Sequence, residues 1–150
     1  IDAADVGKAK AELLQAFASL QLKTQSFASI SSSGGAVAEA RVREAEAAVR
    51  EAEIRLDAAR QSLVNLGLPV AGDLQKLTPA QLEAGVKFLG LSEEVVKSFD
   101  TGRATTNLLP LVAPLDGVIV SRDVVAGEVV DNAKLLFTVA DARRMWVTLD

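Results

Sequence analysis

Cysteine, histidine and tyrosine are all absent from this 150-residue chain, and Met145 and Trp146 are the only residues of their kinds. With no thiolate and no imidazole, a zinc or copper site of the usual ligand types cannot be built from it. Ser-His and Cys-His nucleophilic catalysis are excluded for the same reason. A chain without cysteine suits an oxidising compartment as readily as a reducing one. No apolar run approaches the roughly 18 residues that would span a bilayer, and no signal-peptide pattern is present. The net charge of −4 offers no basic surface for nucleic acid or anionic lipid. Aromatics make up only 4 % of a chain that is 49 % hydrophobic. Much of that hydrophobic content is alanine, which favours long, thin helical packing over one deep core.

What is present first is a heptad pattern. Val6, Leu13, Leu20 and Phe27 recur every seven residues, with Ala9, Ala16, Lys23 and Ile30 three positions further on. That is the a/d stripe of a coiled-coil helix over residues 1 to about 30, interrupted at Lys23. The run Ser31-Ser32-Ser33-Gly34-Gly35 is expected to stop it, because serine competes for backbone hydrogen bonds and glycine is costly in a helix. A second helix is expected over residues 36–67, where Val42, Val49, Leu56 and Leu63 alternate with Ala45, Ala52, Ala59 and Leu66. Glu39/Arg43, Glu46/Arg50 and Glu51/Arg55 support it as i,i+4 pairs. Gly67 suits the position just past its end, and Pro69 prevents continuation. The two stripes predict an antiparallel α-helical hairpin over residues 1–67 with arms of roughly 45 Å. Alanine at d positions lets the backbones approach closely. Leu14, Phe17 and Leu22 lie off the seam and are candidates for lateral packing against neighbouring hairpins, although apolar residues exposed singly are common.

Residues 68–110 read as a linker carrying two short helices. Thr78-Pro79-Ala80-Gln81 is a capping box with proline at the first helical position, and Gly90 ends that helix. Ser92 caps the next, Glu93 and Glu94 lie at its positive end, and Gly102 stops it. From Leu111 onward the pattern changes. Ala113-Pro114-Leu115-Asp116-Gly117 is a turn: proline presets φ, aspartate bonds its own backbone and glycine permits φ > 0. A β-branched run, Val118-Ile119-Val120, follows. Gly127, Val130, Ala133, Leu136 and Val139 then mark every third position, which suits short strands joined by tight turns. Met145 to Leu149 is a last strand-like run containing Trp146. The fold class is therefore α+β. The chain opens inside a heptad and closes just past a strand-like run, so it is expected to be a fragment of a longer protein.

Ala113, Pro114, Asp116, Gly117 and Val118, then Val124, Gly127, Val130, Leu136, Val139, Ala140 and Asp141, then Trp146 and Val147, resemble one half of a lipoyl-like β-domain. The form is that of the barrel-sandwich hybrid of periplasmic adaptor proteins (membrane fusion proteins, HlyD-like). Ala133 departs from the glycine usual there. The run Phe88 to Lys97, closing at Thr101-Gly102-Arg103, is similar to the segment after the hairpin in heavy-metal efflux adaptors of the resistance–nodulation–division class. The resemblance implies residues 111–150 as the C-terminal half of the β-module leading into a β-barrel domain, with the other half before Ile1. It implies a non-enzymatic adaptor without cofactor, in the periplasm of a Gram-negative bacterium and associated with the inner membrane. Its partners would be an inner-membrane transporter, an outer-membrane channel and further copies in a trimeric or hexameric ring. The same architecture serves ABC exporters and type I secretion systems.

The candidate partner-binding residues are those of the hairpin tip: Phe27, Ile30, Ser31, Ser32, Ser33, Gly34 and Gly35. The Arg-x3-Leu-x6-Ser motif of multidrug-type adaptors is not reproduced by Lys23, Phe27 and Ser33, and the bland alternative for Ser31–Gly35 is a solvated turn. Pro114, Asp116, Gly117, Gly127 and Trp146 are the structural motif of the β-module. The acidic pairs Glu93/Glu94 and Glu51/Glu53 are better explained as helix caps and solvated faces than as acid–base groups. Met145 alone is no copper site and reads as packing beside Trp146. Lys134 must be weighed as a lipoylation or biotinylation site, because carrier domains share this fold. Its neighbours Ala133 and Leu135 are not the acidic or methionine neighbours of a carrier lysine. A purely structural coiled coil is the remaining rival.

Overall fold

The heptad stripe folds as a helix, α1, from Ala4 to Ser32. A second helix, α2, runs from Ala38 to Asn65 and packs along α1. These come from a computed structural model that describes residues 1–32, 38–70, 78–98 and 105–143. Val6, Ala9, Leu13, Phe17 and Leu20 of α1 are buried together with Ala52, Leu56, Ala59 and Leu63 of α2. Toward the far end the same stripes thin out: Phe27, Ile30, Val42, Ala45 and Val49 are half-buried, and Lys23 is exposed. Glu46–Arg50 at 3.0 Å and Glu51–Arg55 at 2.6 Å are ion pairs along the outer face of α2.

The ends of the helices follow local chemistry. α1 runs through Ser31 and Ser32 instead of stopping before them. The hydroxyls of those serines donate to the carbonyls of Ala28 and Ser29 at 3.0 and 2.9 Å, so they supply donors to the helix end instead of breaking it. α2 closes two residues earlier than its pattern suggests. Gly67 takes φ +76°, its N–H donates to the Val64 carbonyl at 2.9 Å, and the Leu68 N–H donates to the Leu63 carbonyl at 2.9 Å. This is a Schellman closure, with buried Leu63 and Leu68 as its apolar contact.

The chain past Gly67 then completes the core. Leu68 and Val70 are buried, and Arg60 donates to the Val70 carbonyl at 3.1 Å. A third helix, α3, spans Pro79–Lys87 behind the expected capping box: the Thr78 hydroxyl accepts from the Gln81 N–H, and the Gln81 side chain accepts from the Thr78 N–H. Leu82 and Val86 bury against the same cluster, and α3 packs on α1. Gly90 turns the chain at φ +82°. A Cβ there would lie 2.8 Å from Leu68 Cδ2 and 2.9 Å from Pro110 Cγ. A short helix, α4, follows at Glu93–Ser98, with the Ser92 hydroxyl accepting from the Val95 N–H. Gly102 lies outside the described residues.

That third layer corrects one expectation. Phe17 is 2 % exposed and Leu14 half-buried, so neither is free for neighbouring hairpins; of the three off-seam residues only Leu22, at 62 %, faces outward. Phe17 and Lys10 share the e position, and both are buried because α1 is covered on two sides, by α2 and by the α3 layer.

Residues 1–110 form one compact unit and 111–150 another. In the second, β1 (Val118–Arg122) pairs antiparallel with β2 (Phe137–Ala140). Val118 faces Ala140, Ile119 faces Val139, Ser121 faces Thr138 and Arg122 faces Phe137, with a bulge between Ile119 and Ser121. Two turns connect the strands, one closed by the Glu128 N–H on the Val125 carbonyl and one by the Lys134 N–H on the Asp131 carbonyl. Val124, Val130, Leu136 and Val139 are half-buried, whereas Gly127 and Ala133 of the period-three series sit exposed in the turns. Met145, Trp146 and the last strand-like run lie outside the described residues.

Candidate functional site

Among the tip residues singled out from sequence, Phe27 and Ile30 are half-buried and Ser31 and Ser32 are exposed at the end of α1. Ser33, Gly34 and Gly35 lie outside the described residues. Ser31 and Ser32 spend their hydroxyl donors on the helix itself, but each hydroxyl oxygen keeps acceptor capacity toward a partner. One side of the helix pair carries a shallow groove floored by Ala16, Ser19, Ala58 and Ser62, with Glu12 and Arg55 at its edges.

The second candidate surface is the β-module. Pro114 and Asp116 form an exposed bend ahead of β1. Gly117 is not in the left-handed region, so its expected role as a φ > 0 residue is corrected: among the described residues the glycines that adopt it are Gly67, Gly90 and Gly127. Gly117 instead sits where the Ala140 carbonyl approaches so closely that any Cβ would collide with it. Gly127 takes φ +85° in the turn between Val125 and Glu128. Among the described residues, nothing covers one face of this small sheet, where Leu111, Leu115, Ile119, Leu135 and Phe137 are exposed around a common groove.

Polar contacts fix the turns. The Glu128 carboxylate accepts from the Lys134 ammonium and from the Val125 N–H. The Asp131 carboxylate accepts from the N–H groups of Ala133 and Lys134, each at 3.0 Å. Ser121 and Thr138 join across the strands, hydroxyl to hydroxyl, at 3.0 Å. Lys134 is half-buried, closes a tight turn and is held by Glu128, which is not the free presentation that a swinging acyl or biotinyl arm needs.

The Lys134 bond, with the Val125 N–H second, holds the Glu128 carboxyl below the usual glutamate range. A depressed folded-state pKa stabilises above the ordinary glutamate pKa, and the effect is lost as pH falls through the lowered value. The Val125 amide resonance is therefore expected to titrate with a midpoint below that of an unperturbed glutamate. Glu128→Gln should abolish this titration, and a midpoint at the ordinary value would show that the pair does not hold in solution. Arg143 similarly lowers Asp141 through its guanidinium bond at 2.9 Å.

Among the described residues no group of three or more acidic side chains is placed to hold a metal, and no helix is long and apolar enough to cross a membrane. The chain belongs to the CzcB-like barrel-sandwich hybrid domain family, whose model matches residues 9–141, from the second turn of α1 to just past β2. That places it with the membrane fusion adaptors of efflux systems, a family generally without enzymatic activity. Comparison with curated proteins and with solved structures finds no match.

Proposed function

We propose that this chain is part of a periplasmic adaptor that links an inner-membrane efflux transporter to an outer-membrane channel in a Gram-negative bacterium, and that it carries no enzymatic activity. The observation that supports this best is the joint presence, within one family match, of the long helix pair and the half-sandwich. In this reading residues 1–67 are an antiparallel coiled-coil hairpin, 68–110 a linker and 111–150 half of the lipoyl-like module. The similarity of Phe88–Lys97 and Thr101-Gly102-Arg103 to heavy-metal adaptors favours a resistance–nodulation–division transporter.

The tip, from Phe27 through Gly35, is the proposed contact with the channel. Further copies pack side by side in a ring of three or six, with the alanine- and serine-floored groove as one lateral seat. The exposed apolar face of the β-module is covered by the complementary half of the sandwich. Many repeated weak contacts around a ring supply affinity that a small-residue surface cannot supply singly.

A single cysteine tests the tip, because the chain has none of its own. Ser32→Cys in the intact adaptor, cross-linked in living cells, is expected to trap an outer-membrane channel protein. Exclusively self-cross-linked adaptor would assign the tip to ring assembly, and no adduct from folded protein would reduce it to a solvated turn.

A further inference from the structure

Lys10 is the only charged side chain in the buried core of the described residues, at 1 % exposure. It forms no ion pair there, and burial alone lowers its pKa. Its ammonium donates instead to two backbone carbonyls from distant parts of the chain: Lys87, at the end of α3, at 3.2 Å, and Leu108, at 3.3 Å. Leu108 belongs to a segment that runs antiparallel to the start of the chain. The Ala3 N–H donates to the Asn107 carbonyl at 2.9 Å, the Leu109 N–H donates to the Ile1 carbonyl at 2.8 Å, and Asp2 bridges Leu108. Gly7 faces this segment, with no Cβ to occupy the place of the Asn107 side-chain oxygen.

An apolar residue at position 10 would fill this space without desolvating an ammonium, but it would take their Lys10 donor from the Lys87 and Leu108 carbonyls, so the two effects oppose each other. What it could not do is define a register. A strand pair that slips by one residue exchanges its faces, and burial opposes the slip only where the two faces differ. At Leu108 and Leu109 they do not differ, the two being adjacent, identical and both half-buried; the Asn107 side chain against Gly7 is a steric mark of the register beside the Lys10 bonds. Apolar contact is non-directional, so it cannot tell one leucine from the next, whereas a hydrogen bond has a fixed length and direction. We propose that Lys10 is a register lock, holding residues 107–109 and the last carbonyl of α3 in one alignment against the first turns of α1. The inference concerns the helical unit alone and stands apart from the adaptor reading.

Lys10→Met in the 150-residue chain tests it. The expected result is that the amides of Ala3 and Leu109 exchange at least tenfold faster than in the parent, with a second set of resonances for residues 107–109. Exchange within twofold of the parent, with a single set of resonances, would overturn the lock whatever the melting temperature. A second measurement uses the parent chain and does not depend on the variant folding. An amine-reactive ester should modify Lys10 at least tenfold more slowly than Lys8, which is exposed on the neighbouring turn. Equal rates would also overturn it.

Discussion

Phe17→Ala is expected to cost the helical unit about 3–5 kcal/mol, the range for emptying a buried aromatic site. Leu22→Ala, five residues further along the same helix, should stay within about 0.5 kcal/mol. Heptad position alone buries neither, since both lie off the a/d seam, Phe17 beside it at e and Leu22 away from it at c. What separates them is the third layer. Phe17 is covered on the side where α3 starts, bordering the same groove as Thr78 and Pro79, whereas Leu22 is 62 % exposed. Denaturant unfolding followed by helical circular dichroism checks both. If Phe17 served only contacts between copies, its truncation would leave the unfolding of the dilute chain unchanged, and the closed three-layer base would be wrong.

Gly117→Val is expected to separate β1 from β2, at a cost of about 3 kcal/mol, the upper end for forced overpacking. The obstacle is the Ala140 carbonyl, a backbone group paired into the sheet, which cannot swing aside as a side chain would. Gly127 provides the contrast. A Cβ there meets nothing within 4 Å, so its only requirement is φ +85°. Gly127→Ala should therefore cost about 1–2 kcal/mol, the penalty for a left-handed L-residue. Gly127→Asn should recover part of that, because asparagine tolerates this region. Gly117→Asn should recover nothing. Amide exchange across β1 and β2 reads all four variants; rescue by asparagine at both positions would show that conformation, and not close approach, selects glycine at 117.

Both contrasts mark where reading the chain stops. The long helices, the Thr78–Gln81 capping box, the Gly67 closure and the turn at Gly127 were legible because each is a local event. Periodicity or the chemistry of four to six neighbouring residues sets it. The helix end at Ser32 was misread because serine has two uses near a terminus. It can compete with the helix, or it can donate to the carbonyl three residues back, as Ser31 and Ser32 do. The tip contact at Phe27 to Gly35 rests on resemblance, since nothing in a Ser/Gly turn identifies what it touches.

The sequence by itself determined the element types, the absence of the residues that usual zinc or copper sites and Ser-His or Cys-His catalysis require, and the family to which a 40-residue β-pattern pointed. These depend on composition and on spacing along the chain. Only the tertiary structure decided that Lys10 and Phe17 of the e stripe of α1 are interior, that Lys10 bonds carbonyls 77 and 98 residues away, and that Gly117 makes room for Ala140. The physical reason is common to all three. Each depends on which distant segment covers a given surface, and burial, unlike helix propensity, is fixed by what packs opposite and leaves no periodic trace in the residues themselves.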